Sequence, residues 1–379
     1  MINSKFPNQS VTIFTQMSSL AAEHGAINLS QGFPDFPVSE ELIRLVYDHM
    51  NAGRNQYAPM AGVLKLRQEI SALQSELYQA AYNPETEVTI VAGATQGVYT
   101  ALTAMLHEGD EVILFSPAYD CYEPAIKVNR AKPVYVELSA EDYSIPWLVV
   151  ERKITDKTKI ILLNSPHNPT GAVVSENDLL KLQHLAETHD LVVVSDEVYA
   201  HIIYDSTAHE SVAKYSELRK RSVIVHSFGK TFHVTGWKLG YVLAPKELMI
   251  EFRKIHQYVV FSVSTPVQYA MADFIKNRKN IHALSGFYQA KRDRFLELIK
   301  NSRFEYTPSS GSYFQLLSYE EISDLPDIEL AKKWTRELGI ASVPISVFYP
   351  NKTDNKMLRF CFAKQDSVLE KAAEILCKI

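Results

Sequence analysis

Lys230 ends a run of strand-forming residues in VIVHSFGKTFHVTGWKLG, residues 223–240, and enters a turn of small and polar side chains. An amine held partly out of water in such a turn loses proton affinity and becomes a nucleophile able to form a Schiff base with a carbonyl compound. Asp196 follows LVVVS in the same manner. It serves either as a turn cap or as the counter-charge that a protonated pyridine nitrogen needs. In AGATQG, Gly93, Ala94 and Thr95 open a helix whose first backbone N–H groups form a phosphate site. Ser227 and Lys238 add a hydroxyl and a positive charge for the same anion. Asn168 lies in the turn-rich NSPHNPTG, and its amide can reach into a site. Tyr119 is either core or an aromatic that stacks on a flat ring. Arg359 stands in MLRFCFA, where alternation puts it on a wet face at a sheet edge. Inside a sheet, its planar fork suits a carboxylate.

These residues gain meaning from the elements that carry them. Between about residues 88 and 245 the pattern repeats strand, turn and helix. VTIVAG reads as a strand, and TQGVYTALTAML places Val98, Ala101, Leu102, Met105 and Leu106 at helical spacing. Ser175 with Asp178 three residues on reads as a capping box opening a helix with Leu179, Leu182, Leu185 and Ala186 on one face. The near-continuous β-branched runs LVVVSDEVY and SVIVHSFGK suit strands covered on both faces, so an α/β fold with a mainly parallel, helix-covered sheet is expected. Ligands of such sheets bind beyond the carboxyl ends of the strands, where Lys230, Asp196, Asn168, Tyr119 and the Gly93 turn all fall. Beyond about residue 274, charged helices and the strands SYFQLL and KMLRFCFA predict a smaller α+β unit.

Size and charge narrow the function. A chain of 379 residues, 46% hydrophobic, suggests two domains. The net charge of −5 offers no basic field for nucleic acid or an anionic membrane, which leaves small-molecule chemistry. The three cysteines, Cys121, Cys361 and Cys377, form no CxxC pair, so no zinc site or disulfide framework is indicated and a reducing cytoplasm fits. MINSKFPNQS lacks the apolar run of a signal peptide, and no stretch is apolar enough for a membrane span. No GxGxxG follows the early strands, which argues against a nicotinamide enzyme.

Taken in order, QGFPDF, NQYAP, GATQG, SPAY, NSPHNPTG, SDEVY, SFGKT and LRFCFAK resemble the class I aminotransferases of pyridoxal-phosphate fold type I, over nearly the whole chain. The wording is most similar to the methionine and kynurenine/glutamine aminotransferase subgroup, from IFTQMS and NLSQGFPDF onward. The resemblance implies pyridoxal 5'-phosphate carried covalently on Lys230, with Asp196 on the pyridine nitrogen and Tyr199 and Asn168 on the ring's phenolic oxygen. It implies Tyr119 on the ring face. The Gly93 turn, the backbone of Ala94 and Thr95, Ser227 and Lys238 would hold the phosphate, reached by Tyr57 from a partner subunit. Arg359, Asn168 and the Gly32 backbone would hold the substrate α-carboxylate. A homodimer follows from the shared site. The implied domains are a large one, residues 42–273, and an N-terminal arm, 1–41, joined with a small one, 274–379. Two positions depart from the family's lysine signature: Lys238 replaces an arginine, and His233 a small residue.

The implied reaction is transamination between an L-amino acid and a 2-oxo acid. The sequence marks no second arginine for a distal carboxylate, and Phe14, Phe33, Tyr57, Tyr122 and Phe348 are candidates for an apolar pocket. Methionine is therefore favoured, with aromatic amino acids, kynurenine and glutamine behind. A carbon–sulfur β-lyase would use the same lysine and aspartate. A non-enzymatic regulator that binds the cofactor is disfavoured, because no DNA-binding segment precedes the fold.

Overall fold

A computed structural model describes residues 3–7 and 11–379, so residues 1, 2 and 8–10 of the proposed N-terminal arm lie outside the described residues. The central sheet has seven strands: β1 Val88–Val91, β2 Glu111–Ser116, β3 Lys132–Glu137, β4 Thr158–Asn164, β5 Val192–Asp196, β6 Ser222–Ser227 and β7 Gly240–Leu243. Their order is β1-β7-β6-β5-β4-β2-β3. β7 pairs antiparallel with both β1 and β6 and the other pairings are parallel, which is the mainly parallel sheet expected. Its short GYVL was not separable from the preceding turn by pattern alone.

Alternation along each strand divides the core between the two faces. Val112, Leu114, Ile160, Leu162, Val194, Val223 and Val225 face one way, under the helices Ala94–Met105 and Lys246–Val259. Their neighbours Ile113, Ile161, Leu163, Val193 and Ile224 face the other, with Leu66, Ile70 and Leu73 and with the 176–188 helix. That last helix starts at the capping box expected from Ser175 and Asp178.

A second sheet runs β9-β10-β8, with β8 Phe314–Ser318, β9 Val343–Pro344 and β10 Met357–Cys361 all antiparallel. β10 is its middle strand, so Arg359 has no wet edge to occupy. Ile27 and Asn28 pair in parallel with Ile340 and Ala341, which fastens the segment after them, residues 29–36, between the two sheets. No helix among the described residues is long and apolar enough to cross a membrane.

Candidate active site

Register sets the centre of the site. Asn164 pairs with Asp196 across β4 and β5, and Asp196 with Val225 across β5 and β6, so Asn164, Asp196 and Ser227 emerge side by side at the carboxyl end of the sheet. A cavity of about 290 Å³ opens there, lined by Gly32, Gly93, Ala94, Thr95, Tyr119, Asn168, Asp196, Tyr199, Ser227, Lys230, Lys238 and Arg359. Of the residues expected to hold the cofactor or the substrate α-carboxylate, Tyr57 alone is missing from its wall. That ring is 81% exposed and packs edge-on against Phe261.

Lys230 sits in the short helix Phe228–Thr231, and its Nζ donates to the Gly32 carbonyl at 2.7 Å. Burial brings the amine down to about 8, with nearby Arg359 and Lys238 pushing the same way and Cys361 and Asp196 opposing. Asp196 is buried, and desolvation raises its carboxyl to about 6 against the opposing pull of two donors. Tyr122 Oη donates to its Oδ2 at 2.7 Å and the Val198 N–H to its Oδ1 at 3.3 Å. Asn164 fixes the same corner from behind, donating from Nδ2 to the Asp196 carbonyl and accepting the Asn168 N–H on Oδ1.

At another part of the wall, Gly93 begins the 94–105 helix at φ 83°, and no side chain caps that helix. Its first N–H groups stay open to an anion. A Cβ on Gly93 would stand 3.3 Å from Lys238 Nζ, so only glycine leaves the ammonium and the helix end free to share one guest. Across the cavity, Arg359 is 1% exposed. Its Nη1 donates to Asn168 Oδ1 at 2.6 Å and its Nη2 to the Ser30 carbonyl at 3.1 Å. Nε has no partner, and the rings of Phe314, Phe14 and Phe348 surround the guanidinium at 3.8, 5.3 and 5.3 Å. It forms no salt bridge among the described residues. A buried cation left in that condition is costly and fits a carboxylate brought from outside.

The apolar set expected from sequence needs correction in part. Tyr122 lines the cavity as expected, with its hydroxyl committed to Asp196. Phe33 is 44% exposed in a groove beside Lys364. Phe14 lines the cavity as expected, and it flanks Arg359 together with Phe348, which lies off the wall. Sequence reasoning missed Tyr122 and Asn164 as partners of Asp196, and Tyr313, whose hydroxyl donates to the Gly32 carbonyl at 2.7 Å.

The donor set suits pyridoxal 5'-phosphate at every part of that molecule. An open helix end with Lys238 and Ser227 matches the phosphate, a buried carboxylate the pyridine nitrogen, and an amine of lowered basicity the aldehyde. Fold and cavity together define a fold type I pyridoxal-phosphate enzyme. The chain belongs to the family of class I and II aminotransferases, whose model matches residues 24–376. It is 43% identical to the methionine aminotransferase of Escherichia coli K12, over 98% of this chain and 97% of that one. It is 32% identical to human kynurenine–oxoglutarate transaminase 3, over 96% and 87%. Among solved structures, an Escherichia coli protein described as having a methionine aminotransferase function superposes over the full length of both chains with a TM-score of 0.98 at 42% identity. The N-succinyldiaminopimelate aminotransferase of Mycobacterium tuberculosis gives 0.96 at 32%, again over both full chains.

Proposed function

We propose that this chain transaminates methionine and similar large uncharged L-amino acids with a 2-oxo acid, with Lys230 as covalent anchor and proton carrier. The observation that supports it best is the buried Arg359 without an acidic partner, in one cavity with Lys230 and Asp196. When bound, the cofactor supplies an electron-poor ring that accepts the electron pair left as the substrate's Cα–H bond breaks. Arg359 and Asn168 hold the substrate α-carboxylate. Asp196 keeps a negative charge against the ring nitrogen, so that its proton stays in place. Lys230 Nζ would take the proton from the substrate's Cα, hold it and release it again. An amine near 8 is matched to that double duty, since a group that must both accept and release a proton works best close to ambient pH. Tyr199 and Tyr119 orient the ring.

Arg359 is the one arginine on the cavity wall among the described residues, so no second guanidinium there awaits a distal carboxylate. The substrate's side chain therefore meets an apolar surroundings that includes Phe14. Steady-state assays with 2-oxoglutarate as acceptor are expected to rank methionine above aspartate by at least about tenfold in kcat/KM. An aspartate preference would refute the substrate assignment.

The same proposal includes a homodimer, in a reducing cytoplasm that keeps the three cysteines as thiols. Tyr57, Tyr258, Val259 and Phe261 are 81%, 85%, 46% and 55% exposed and form an apolar surface outside the cavity. Tyr57 would complete the phosphate site of a second copy. Tyr57→Ala and Lys230→Ala chains, each inactive or impaired alone, are expected to recover about a quarter of native activity when refolded together, because half the dimers are mixed and each carries one intact site. No recovery, in dimers proven mixed by mass, would remove Tyr57 from the partner's site.

A further inference from the structure

Lys230 in its turn is followed closely by His233, which holds a left-handed backbone at φ 61°. Its ring stands edge-on to Phe36, with centroids 5.4 Å apart. Its Nδ1 lies 2.8 Å from the hydroxyl of Tyr288. Burial lowers the imidazole to about 4, so it is neutral and shares one hydrogen with that hydroxyl. Tyr288 is fully buried and leans on Tyr313 at 5.8 Å. Tyr313 in turn donates to the Gly32 carbonyl, the acceptor that Lys230 Nζ also uses.

Gly32 and Phe36 belong to the one segment that runs between the two sheets. Gly32 is pressed so closely onto β8 that a Cβ would sit 2.8 Å from the Phe314 ring. From the small-sheet side, Asp35 and Phe33 are held by Gln365 and Lys364. From the side of the lysine turn, the segment meets His233 through Phe36, and Lys230 itself through Gly32. Phe36 is boxed further by Phe287 at 5.1 Å and by Lys291 Nζ at 5.1 Å.

We propose that His233 is a positioning residue, which ties residues 32–36 to the lysine turn through Phe36 and Tyr288. It thereby keeps the Gly32 carbonyl where it orients the amine of Lys230 for proton transfer. Its effect on turnover rests on Lys230 being the proton carrier, whereas its hold on the segment does not. An amine freed from its covalent bond has three hydrogens or a lone pair to direct, and one fixed acceptor selects the orientation that faces the substrate. Were the segment free to drift, that orientation would be sampled less often, and the step that breaks the Cα–H bond would slow without loss of binding.

The test uses the holoenzyme and four variants. His233→Ala removes ring and hydrogen bond, and His233→Gly does the same while relaxing the positive φ. His233→Asn tolerates that φ and can either donate to or accept from Tyr288. Tyr288→Phe deletes a single oxygen, which keeps the test alive should His233→Ala fail to fold. Amide hydrogen exchange read by mass spectrometry is expected to quicken on the order of tenfold in residues 30–36 of His233→Ala, His233→Gly and Tyr288→Phe, with the central strands unchanged. In the same three, kcat is expected to fall about tenfold with KM within about twofold. His233→Asn should restore both. Unchanged exchange in residues 30–36 would overturn the inference. So would faster exchange throughout the sheet, or full rescue by glycine, since either makes His233 only structural. If the wild-type holoenzyme transaminates nothing yet the exchange pattern appears, the functional reading fails and the hold on the segment stands.

Discussion

Lys230→Ala is expected to lower kcat by at least about ten-thousand-fold while leaving a folded protein that still takes up pyridoxal 5'-phosphate. The size follows from two losses at one atom. Positioned proton transfer alone contributes roughly a hundred- to ten-thousand-fold, and the covalent attachment that the amine provides is lost with it. Uptake is expected to survive because the phosphate and ring contacts proposed above lie elsewhere, at the open end of the 94–105 helix, Lys238 and Asp196. Folding survives as well. Burial of this amine opposes its charge, as its lowered basicity shows, so removing it relieves the core. Borohydride treatment followed by peptide mapping should attach the cofactor to the native peptide bearing Lys230 and to nothing in the variant. Turnover within a few fold of native, or attachment to another lysine, would refute the role.

Much of this was legible because chemistry and topology coincide. The β-branched runs of β4, β5 and β6 announced buried strands, and a rule about where ligands bind in such sheets turned their ends into a short list of residues. Lys230, Asp196, Asn168 and Ser227 could therefore be named before their neighbours were known. What escaped were contacts between segments far apart in the chain. Tyr122 meets Asp196 across 74 residues, and Tyr313 meets Gly32 across 281. No local pattern distinguishes those tyrosines from ordinary core. Arg359 illustrates the middle case. Its alternation was clear, yet whether it faced water or the interior depended on β10 being flanked on both sides, which is a property of the sheet and not of the strand. His233 looked anomalous beside the family's signature because its partners, Phe36 and Tyr288, come from either end of the chain.

Asp196→Asn is expected to make the cofactor-free protein more stable and the enzyme far worse. The carboxyl sits at about 6 in the folded chain against 3.8 for the exposed group, chiefly through desolvation. A group raised in this way contributes stability that is fully present below 3.8 and is lost as pH rises through about 6. Above that, the buried charge costs about 3 kcal/mol. Lys230 has the opposite sign: held at about 8, its contribution is present above 10.5 and is lost as pH falls through about 8. Thermal unfolding of the cofactor-free proteins is therefore best compared at pH 8.5, where the folded amine is largely neutral and offsets little of the carboxylate's cost. There Asp196→Asn should unfold several degrees above the native chain, and the gap should close near pH 4. The asparagine keeps an oxygen for the Tyr122 hydroxyl but offers the ring nitrogen no charge. A well-placed charged partner is worth about 3–4 kcal/mol in the transition state, so kcat should fall roughly a hundred- to a thousand-fold. The carboxylate is thus unfavourable to the empty fold and indispensable to the loaded one, which is the condition expected of a group whose partner is supplied by the cofactor. A stability gap that does not change with pH, or a kcat near native, would show that Asp196 serves the fold instead.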